Sequence, residues 1–476
     1  MNNAAALDVT ERNRRATVAH LIAQGQYKDA EPHLLSMLQI APNNAWAYGV
    51  LGIVYRFTNR ETASDAAFKR SLHLEPDNAE ILSHYGGLLL DMYRIDESLY
   101  YTRRAVELDP ENYQLRKTLG QLERDAKLFD DSVKSYEWCR ERTPDDPNLI
   151  FDYGYVLLYT RDLQKGWDYF ETRFQTDRMD FPNTSHLKLW EGESLKGKTV
   201  LVIGEQGFGD TLLMTRFLPL LEAKGAKITF GCSDVFNRAF VSLGYPIVNK
   251  IGPLDNYDFF IPMMTLPRHF ERDWLKWPKP IKLDVPQPCR QKFSWLANHG
   301  EKRLRVGIVW SGRIAYAGNK RRAVDLSRFL ELSALYPDIE FYSFQKGERE
   351  PDLMSVGKGP ITPLGHLFAD FADTTAALEH MDCILMTDSS LVHLASGQGV
   401  PVIDLLGYRP YWLYFPEAPT TPLYPSLRFI RQKQAGDWDD VFKRAKVILD
   451  ALRTEKRDQP LTADRVLKII DANLQS

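Results

Sequence analysis

Three short stretches carry residue types whose spacing could do chemistry. The first is Gly204-Glu205-Gln206-Gly207-Phe208-Gly209-Asp210. Glycines let a backbone come close to a bound group, and a helix N-terminus behind them favours an anion. Asp210 is the acid of this stretch. As a general base it would be ionised, its charged form favoured by the helix dipole. As a local feature it is an N-cap or first-turn acid, and its immediate neighbours favour the cap. The second stretch is Thr387-Asp388-Ser389-Ser390-Leu391-Val392-His393. Asp388 ends a strand, the hydroxyls open a helix, and His393 lies one turn in on the side of Ser389 and Ser390. Free N–H groups, hydroxyl donors and an imidazole make a phosphate-binding corner. The alternative is a simple N-cap with a buried histidine. The third is basic: Arg313, Lys320, Arg321 and Arg322, in the loop after LRVGIVW. Such loops are often merely solvated, but behind a strand's carboxyl end these cations can clamp a diphosphate.

Other patterns are set aside. Gln206 breaks the GxGxxG spacing, and no Gly-Lys-Ser/Thr follows, so a nicotinamide oxidoreductase lacks its fingerprint. Asp437-Trp438-Asp439 has a metal-binding spelling, but it follows Gly436 and begins a helix, which reads as an N-cap. The aromatic stretch GYRPYWLYFPEAPTTPLYP lacks the basic interleaving of a nucleic-acid platform and fits a loop facing sugar or protein. No Ser/His/Asp order and no metal-ligand cluster stands out.

The elements that must position these residues alternate strand and helix. TVLVIG is an apolar run bounded by glycine, a buried parallel strand by pattern. A glycine turn, the helical TLLMTRFLPLLEAKG and the strand AKITFGC complete a βαβ unit. The same organisation restarts at Arg303: LRVGIVW, LSRFLELSALYP, IEFYSF, TTAALEHM, CILMTD, SSLVHLASGQG and PVIDLL read in turn as strand, helix, strand, helix, strand, helix, strand. Two α/β halves with glycine loops at strand ends predict paired Rossmann-like domains facing a cleft. From Asp437 the chain is mainly helical to Gln475, with a break at Gln459-Pro460.

The first third obeys a different rule. Pro42, Pro76, Pro110 and Pro144 are each 34 residues apart, and so are Gly52, Gly86, Gly120 and Gly154. Within one unit, Tyr48, Leu51, Gly52 and Tyr55 form one helix face, and Phe68, Ser71 and Leu72 the inner face of the next. Over Arg12 to Phe174 this pattern resembles the tetratricopeptide repeat (TPR) family, one helical hairpin per unit. The resemblance implies a solenoid with a concave groove for a protein partner, or one that dimerises or braces the next domain.

Composition excludes several classes. The 476 residues exceed a single core, and a net charge of −3 gives no general reason for nucleic acid or an anionic membrane as partner. No apolar run approaches the length of a membrane span. The start, MNNAAALDVTERNRR, reads as a frayed leader and not a signal peptide. Cys139, Cys232, Cys289 and Cys383 are far apart and read as buried thiols of a reducing compartment, so cytoplasm is the expected location.

Taken in order, KTVLVIGEQGFGDTLLMTRFLPLL, LRVGIVWSG, DFADTTAALEHMDCILMTDSSLVHLASGQGVPV and the late LYPSLRFIRQ…GDW resemble TPR-linked bacterial glycosyltransferases, whose catalytic module is similar to the heptosyltransferases. The resemblance covers about Leu189 to Leu452. It implies an α plus α/β multidomain chain, a TPR solenoid followed by a GT-B module of two Rossmann-like domains. The implied boundaries are a flexible leader over 1–11, repeats over 12–176, a linker over 177–198, an acceptor-side half over 199–300, a nucleotide-sugar half over 301–452 and a C-terminal helix over 453–476.

The resemblance also implies an inverting, metal-independent transfer with no cofactor beyond the nucleotide-sugar. Asp210 would be the catalytic base. Gly207, Gly209, Lys320, Arg322, Gln345, Asp388, Ser389, Ser390 and His393 would hold the donor. Gln345 stands where heptosyltransferases carry a glutamate for the ribose, which leaves the donor open. The implied acceptor is a Ser or Thr hydroxyl of a protein docked on the repeats, flagellin-like subunits being one such class. A homodimer through the repeats and an inactive TPR adaptor with a degenerate transferase fold are the alternatives.

Overall fold

The computed structural model describes residues 2–474 except 177–180, 206, 253–255, 299–302, 317, 358, 410 and 415–417, and for 2–10 the backbone alone. The chain divides into two compact units, Met1–Thr160 and Arg161–Ser476.

The first unit holds α1 (Asn2–Ala23), α2 (Tyr27–Ile40), α3 (Ala45–Phe57), α4 (Glu61–Leu74), α5 (Ala79–Asp91), α6 (Ile95–Leu108), α7 (Tyr113–Asp125), α8 (Phe129–Arg142) and α9 (Pro147–Tyr159). Helix α1 takes in most of the stretch expected as a frayed leader. The period fixes more than the prolines and glycines. Asn44, Asn78, Asn112 and Asp146 each cap a following helix, their side-chain oxygens accepting backbone N–H groups. Ser64, Ser98 and Ser132 donate to the carbonyls of Gly52, Gly86 and Gly120 at 2.6, 2.7 and 2.7 Å, tying the two helices of each hairpin. The glycine allows that approach: a Cβ on Gly52 would lie 2.6 Å from the Phe68 ring.

The second unit opens with α10 (Leu163–Phe170) and then β1 (Thr199–Ile203), α11 (Phe208–Met214), α12 (Leu218–Ala223), β2 (Lys227–Gly231), α13 (Asn237–Phe240), β3 (Ile247–Val248), β4 (Phe259–Pro262), α14 (Leu266–His269) and α15 (Gln287–Phe293). Then follow β5 (Leu304–Val309), α16 (Asn319–Arg322), α17 (Leu326–Leu335), β6 (Ile339–Ser343), α18 (Glu350–Ser355), β7 (Ile361–Pro363), α19 (Phe371–Leu378), β8 (Cys383–Thr387), α20 (Ser390–Gln398), β9 (Val402–Leu406), β10 (Leu427–Arg431), α21 (Trp438–Asp458) and α22 (Ala463–Asn473). Two wholly parallel sheets result, in the orders β3-β2-β1-β4 and β10-β9-β8-β5-β6-β7. The architecture is thus helical repeats followed by two Rossmann-like α/β halves.

The helix expected from Thr211 to Gly225 is interrupted by a 3₁₀ turn at Thr215–Phe217, since Pro219 has no N–H to continue the ladder. Strands β3, β4 and β7 are too short to stand out as apolar runs. Asp437 caps α21 as its spelling predicts, accepting the Asp440 N–H at 3.1 Å, and the helix ends at Gln459. Apolar residues of α17, α21 and α22 share one core with β5, β6 and β9. Among the described residues no helix is long and apolar enough to cross a membrane. Cys139, Cys289 and Cys383 are buried free thiols, while Cys232 is half-buried.

Candidate active site

In each sheet the strand order reverses at one place, and ligands of open α/β sheets bind outside the carboxyl ends of the strands at that point. In the six-stranded sheet it lies between β5 and β8, and in the four-stranded sheet between β1 and β4. The three chemical stretches follow β1, β5 and β8, so both switch points are furnished by the residues singled out in the sequence.

Just past β6, Gln345 is 2% exposed, and its amide is fully engaged by the backbone of the loop after β5. Its Oε1 accepts the N–H groups of Trp310 and Ser311 at 3.2 and 3.0 Å, and its Nε2 donates to the Ser311 carbonyl at 2.9 Å. Gln345 thus holds the loop after β5 from behind, as a buried amide must find partners where it sits. Asn319 completes the turn, accepting the Gly312 N–H at 2.9 Å and donating to Ser311 Oγ at 3.0 Å. Arg322 lies 3.5 Å from Asp388 and 4.8 Å over the Tyr316 ring, while Lys320 is exposed on the same short helix.

After β8, Asp388, Ser389 and Ser390 are half-buried, and no side chain caps α20. His393 is buried in its first turn, with Nδ1 3.2 Å from the Tyr424 hydroxyl. Burial and then the charges of Arg216 and Arg322 push its pKa down to about 3, so the imidazole is neutral at physiological pH. When Tyr424 donates to Nδ1, the proton sits on Nε2. Burial also raises the Asp388 carboxyl, against the pull of Arg322.

After β1, Gly207 is the N-cap of α11, and Asp210 is a first-turn residue and not the cap. The Tyr411 hydroxyl donates to Asp210 Oδ1 at 2.8 Å. Asp210 keeps some exposure yet is enclosed on most sides. That burial raises its pKa to about 6, with Glu205 and Asp388 adding to the rise and Tyr411 opposing it. Gln206 lies outside the described residues.

The two halves bring these pieces together. A Cβ on Gly209 would stand 2.7 Å from His393 Cδ2 and 3.5 Å from the Ser390 Cα, so the β1 loop is pressed against the start of α20. Nearby, Arg238 forks onto Asp370 at 2.6 and 2.9 Å, and Phe236 stacks on Phe371 at 4.7 Å. Arg216 reaches the Leu423 carbonyl at 3.3 Å. The halves are therefore closed on one another here. A cavity of about 510 Å3 lies elsewhere, at the amino ends of β8 and β9 beside Lys282, Arg290 and Gly399, and holds none of these residues.

Sequence reasoning missed Tyr411 and Tyr424 as partners of Asp210 and His393. Their signal was the aromatic stretch, read as a sugar- or protein-facing loop. It also missed Asp404 on β9, which is wholly buried with neither carboxyl oxygen hydrogen-bonded. Burial first, and then the neighbouring Asp388, hold Asp404 well above the ordinary carboxylate range. A charged residue inside the apolar run PVIDLL was the available signal. Among the described residues no group of three or more His, Cys, Asp or Glu could hold a metal ion.

No protein-family model matches the chain. It is similar to Protein FlbA of Caulobacter vibrioides, 23% identical over 446 residues, covering 86% of this chain and 73% of that protein. A stretch of 77 residues is 27% identical to the type IV pilus assembly protein PilF of Pseudomonas aeruginosa, covering 16% of this chain and 31% of that one. Among solved structures, the glycosyl transferase family 9 protein of Veillonella parvula overlays with a TM-score of 0.41 at 12% identity, covering 60% of this chain and 99% of that chain. The TPR protein YrrB overlays with a TM-score of 0.28 at 18% identity, covering 33% of this chain and 81% of that chain. The fold assignment rests on the elements above and not on these scores.

Proposed function

We propose that the chain is an inverting glycosyltransferase of GT-B architecture that moves a sugar from a nucleotide-sugar to a hydroxyl, a Ser or Thr of a protein docked on the repeats, flagellin-like subunits being one such acceptor. The observation that carries this reading is the meeting of Asp210, Gly209 and His393 between two switch points, with Arg322 and Asp388 alongside. In this reading Asp210 takes the acceptor proton as the oxygen attacks the anomeric carbon. A carboxyl with a pKa near 6 is ionised at neutral pH yet more basic than an exposed one. The leaving diphosphate gathers negative charge, which the start of α20, Ser389, Ser390, neutral His393 and the cations Lys320 and Arg322 are disposed to stabilise without a metal. Closure of the halves completes the constellation and excludes water.

The test is a thermal-shift screen of the full chain against UDP-, GDP-, ADP-, dTDP- and CMP-sugars, followed by a transfer assay. A ligand bound to the native state raises Tm by mass action. One nucleotide-sugar should raise Tm, His393→Ala should abolish that shift, and Asp210→Asn should keep it while lowering transfer about 10²–10⁴-fold. No shift with any donor would turn the reading toward an inactive adaptor.

A further inference from the structure

Glu205 stands just past β1, and Gly207 caps α11, whose first turn carries Asp210. Glu205 is gripped from outside both sheets. Arg173, in the turn just past α10, has no exposed surface, and its guanidinium forks onto Glu205 at 2.8 and 2.9 Å. The same guanidinium donates to Glu171 at 2.7 Å and to Thr265 Oγ1 at 2.8 Å, and lies 4.0 Å over the Phe174 ring. Glu205 also accepts the Met264 N–H at 2.8 Å, so it bridges the loops after β1 and β4 across the switch point of the four-stranded sheet. Helix α10 is itself fixed to that half: Trp167 donates to the Arg272 carbonyl at 2.9 Å, and Asp168 pairs with Arg268 and Arg272 at 2.9 and 3.1 Å.

We propose that Arg173 and Glu205 are a positioning pair through which the segment following α10 sets the start of α11, which bears Asp210. This role rests on the transferase reading. Arg173 is wholly enclosed and touches no substrate; it acts through Glu205, five residues before Asp210. The fork is the operative feature. Two parallel N–H···O bonds fix both position and orientation of a carboxylate, whereas a lysine in the same place offers a point charge and leaves the carboxylate free to turn. A turn at Glu205 moves the start of α11, and with it the Asp210 carboxyl, relative to Tyr411 and the start of α20.

The experiment compares hydrogen exchange in the full chain for the wild type, Arg173→Lys and a control, Lys456→Gln. The control breaks a buried pair of similar depth, Lys456 with Asp382 at 2.9 Å, at the far end of the six-stranded sheet. Peptides covering 204–214 should exchange about tenfold faster in Arg173→Lys and stay at the wild-type rate in the control. With the nucleotide-sugar identified in the thermal-shift screen, kcat should fall on the order of 10²-fold at unchanged donor KM. Where Arg173→Lys does not yield folded protein, Glu205→Gln, which keeps the shape and loses the charge, carries the same expectations. Unchanged exchange over 204–214, or a rise spread evenly over the whole chain, overturns the positioning role. Absence of transfer by the wild type with every donor overturns the transferase reading instead, and the exchange result still decides whether Arg173 holds the loop.

Discussion

Burial sets the working range of the candidate base, and a single hydroxyl opposes it. Tyr411 donates to Asp210, and that bond favours the charged form and works against the burial that raises the pKa to about 6. A base must be ionised to accept a proton, so transfer should rise with pH through about 6 and level off above it. Removing the bond in Tyr411→Phe takes away an influence that lowers the pKa. The acid limb of the kcat profile should therefore move to higher pH, with the plateau little changed. A limb that stays in place, or moves down, would show that Tyr411 does not tune Asp210. His393 stands at the other extreme. Held neutral by burial and two arginines, it offers a hydrogen bond without a charge, and its protonation should leave no mark on the profile above about pH 5.

At the scale of elements, the repeat hairpins show how a period acts on local structure. Asn112 accepts from the N–H groups of Gln114 and Leu115 at 3.1 and 3.2 Å, satisfying donors that the first turn of α7 leaves open. Asn112→Ala should cost about 1 kcal/mol, read as a lower urea midpoint at unchanged slope. An unmoved midpoint would mean that water serves those N–H groups equally well. The turns between paired helices place Asn59, Tyr93 and Lys127 in the left-handed region, at φ of 59, 60 and 64°. A backbone conformation that disfavours a side chain is held at the same step in every unit, because the packing of each hairpin requires that turn.

For the whole molecule, the boundary between compact units falls at Thr160 and Arg161, inside the stretch read as repeats and well before the stretch read as a linker. Trp167 and Phe170 are wholly buried, Trp167 packing against Trp412 at 5.4 Å and Trp277 at 6.1 Å. A fragment of residues 161–476 should therefore melt in one cooperative transition. A fragment of 177–476, which loses Trp167, Phe170 and Arg173, should aggregate or melt far lower, since several buried aromatic contacts worth roughly 3–5 kcal/mol each are removed. Equal melting of the two would show that α10 is dispensable to the α/β halves. The closed approach of Gly209 to His393 belongs to this scale too: it joins residues 184 positions apart, a distance read from their numbers alone, through the docking of two sheets.

The sequence by itself determined the elements that announce themselves locally. A period of 34 gave the hairpins, and short apolar runs gave β1, β5, β8 and β9 in their places. It also gave the stretches at the switch points, because glycine, hydroxyl and acid clusters behind a strand are readable within a dozen residues. Tertiary structure alone decided which of those groups meet. Asp210 became a first-turn acid held by Tyr411 once the two halves packed. Gln345 turned into a loop support because burial left its amide no partner but backbone. Arg173 reached Glu205 across 32 residues because α10 folds onto the α/β halves. A local pattern reports the conformation a segment prefers, whereas partners, burial and the pKa values that follow depend on what the rest of the chain places beside it.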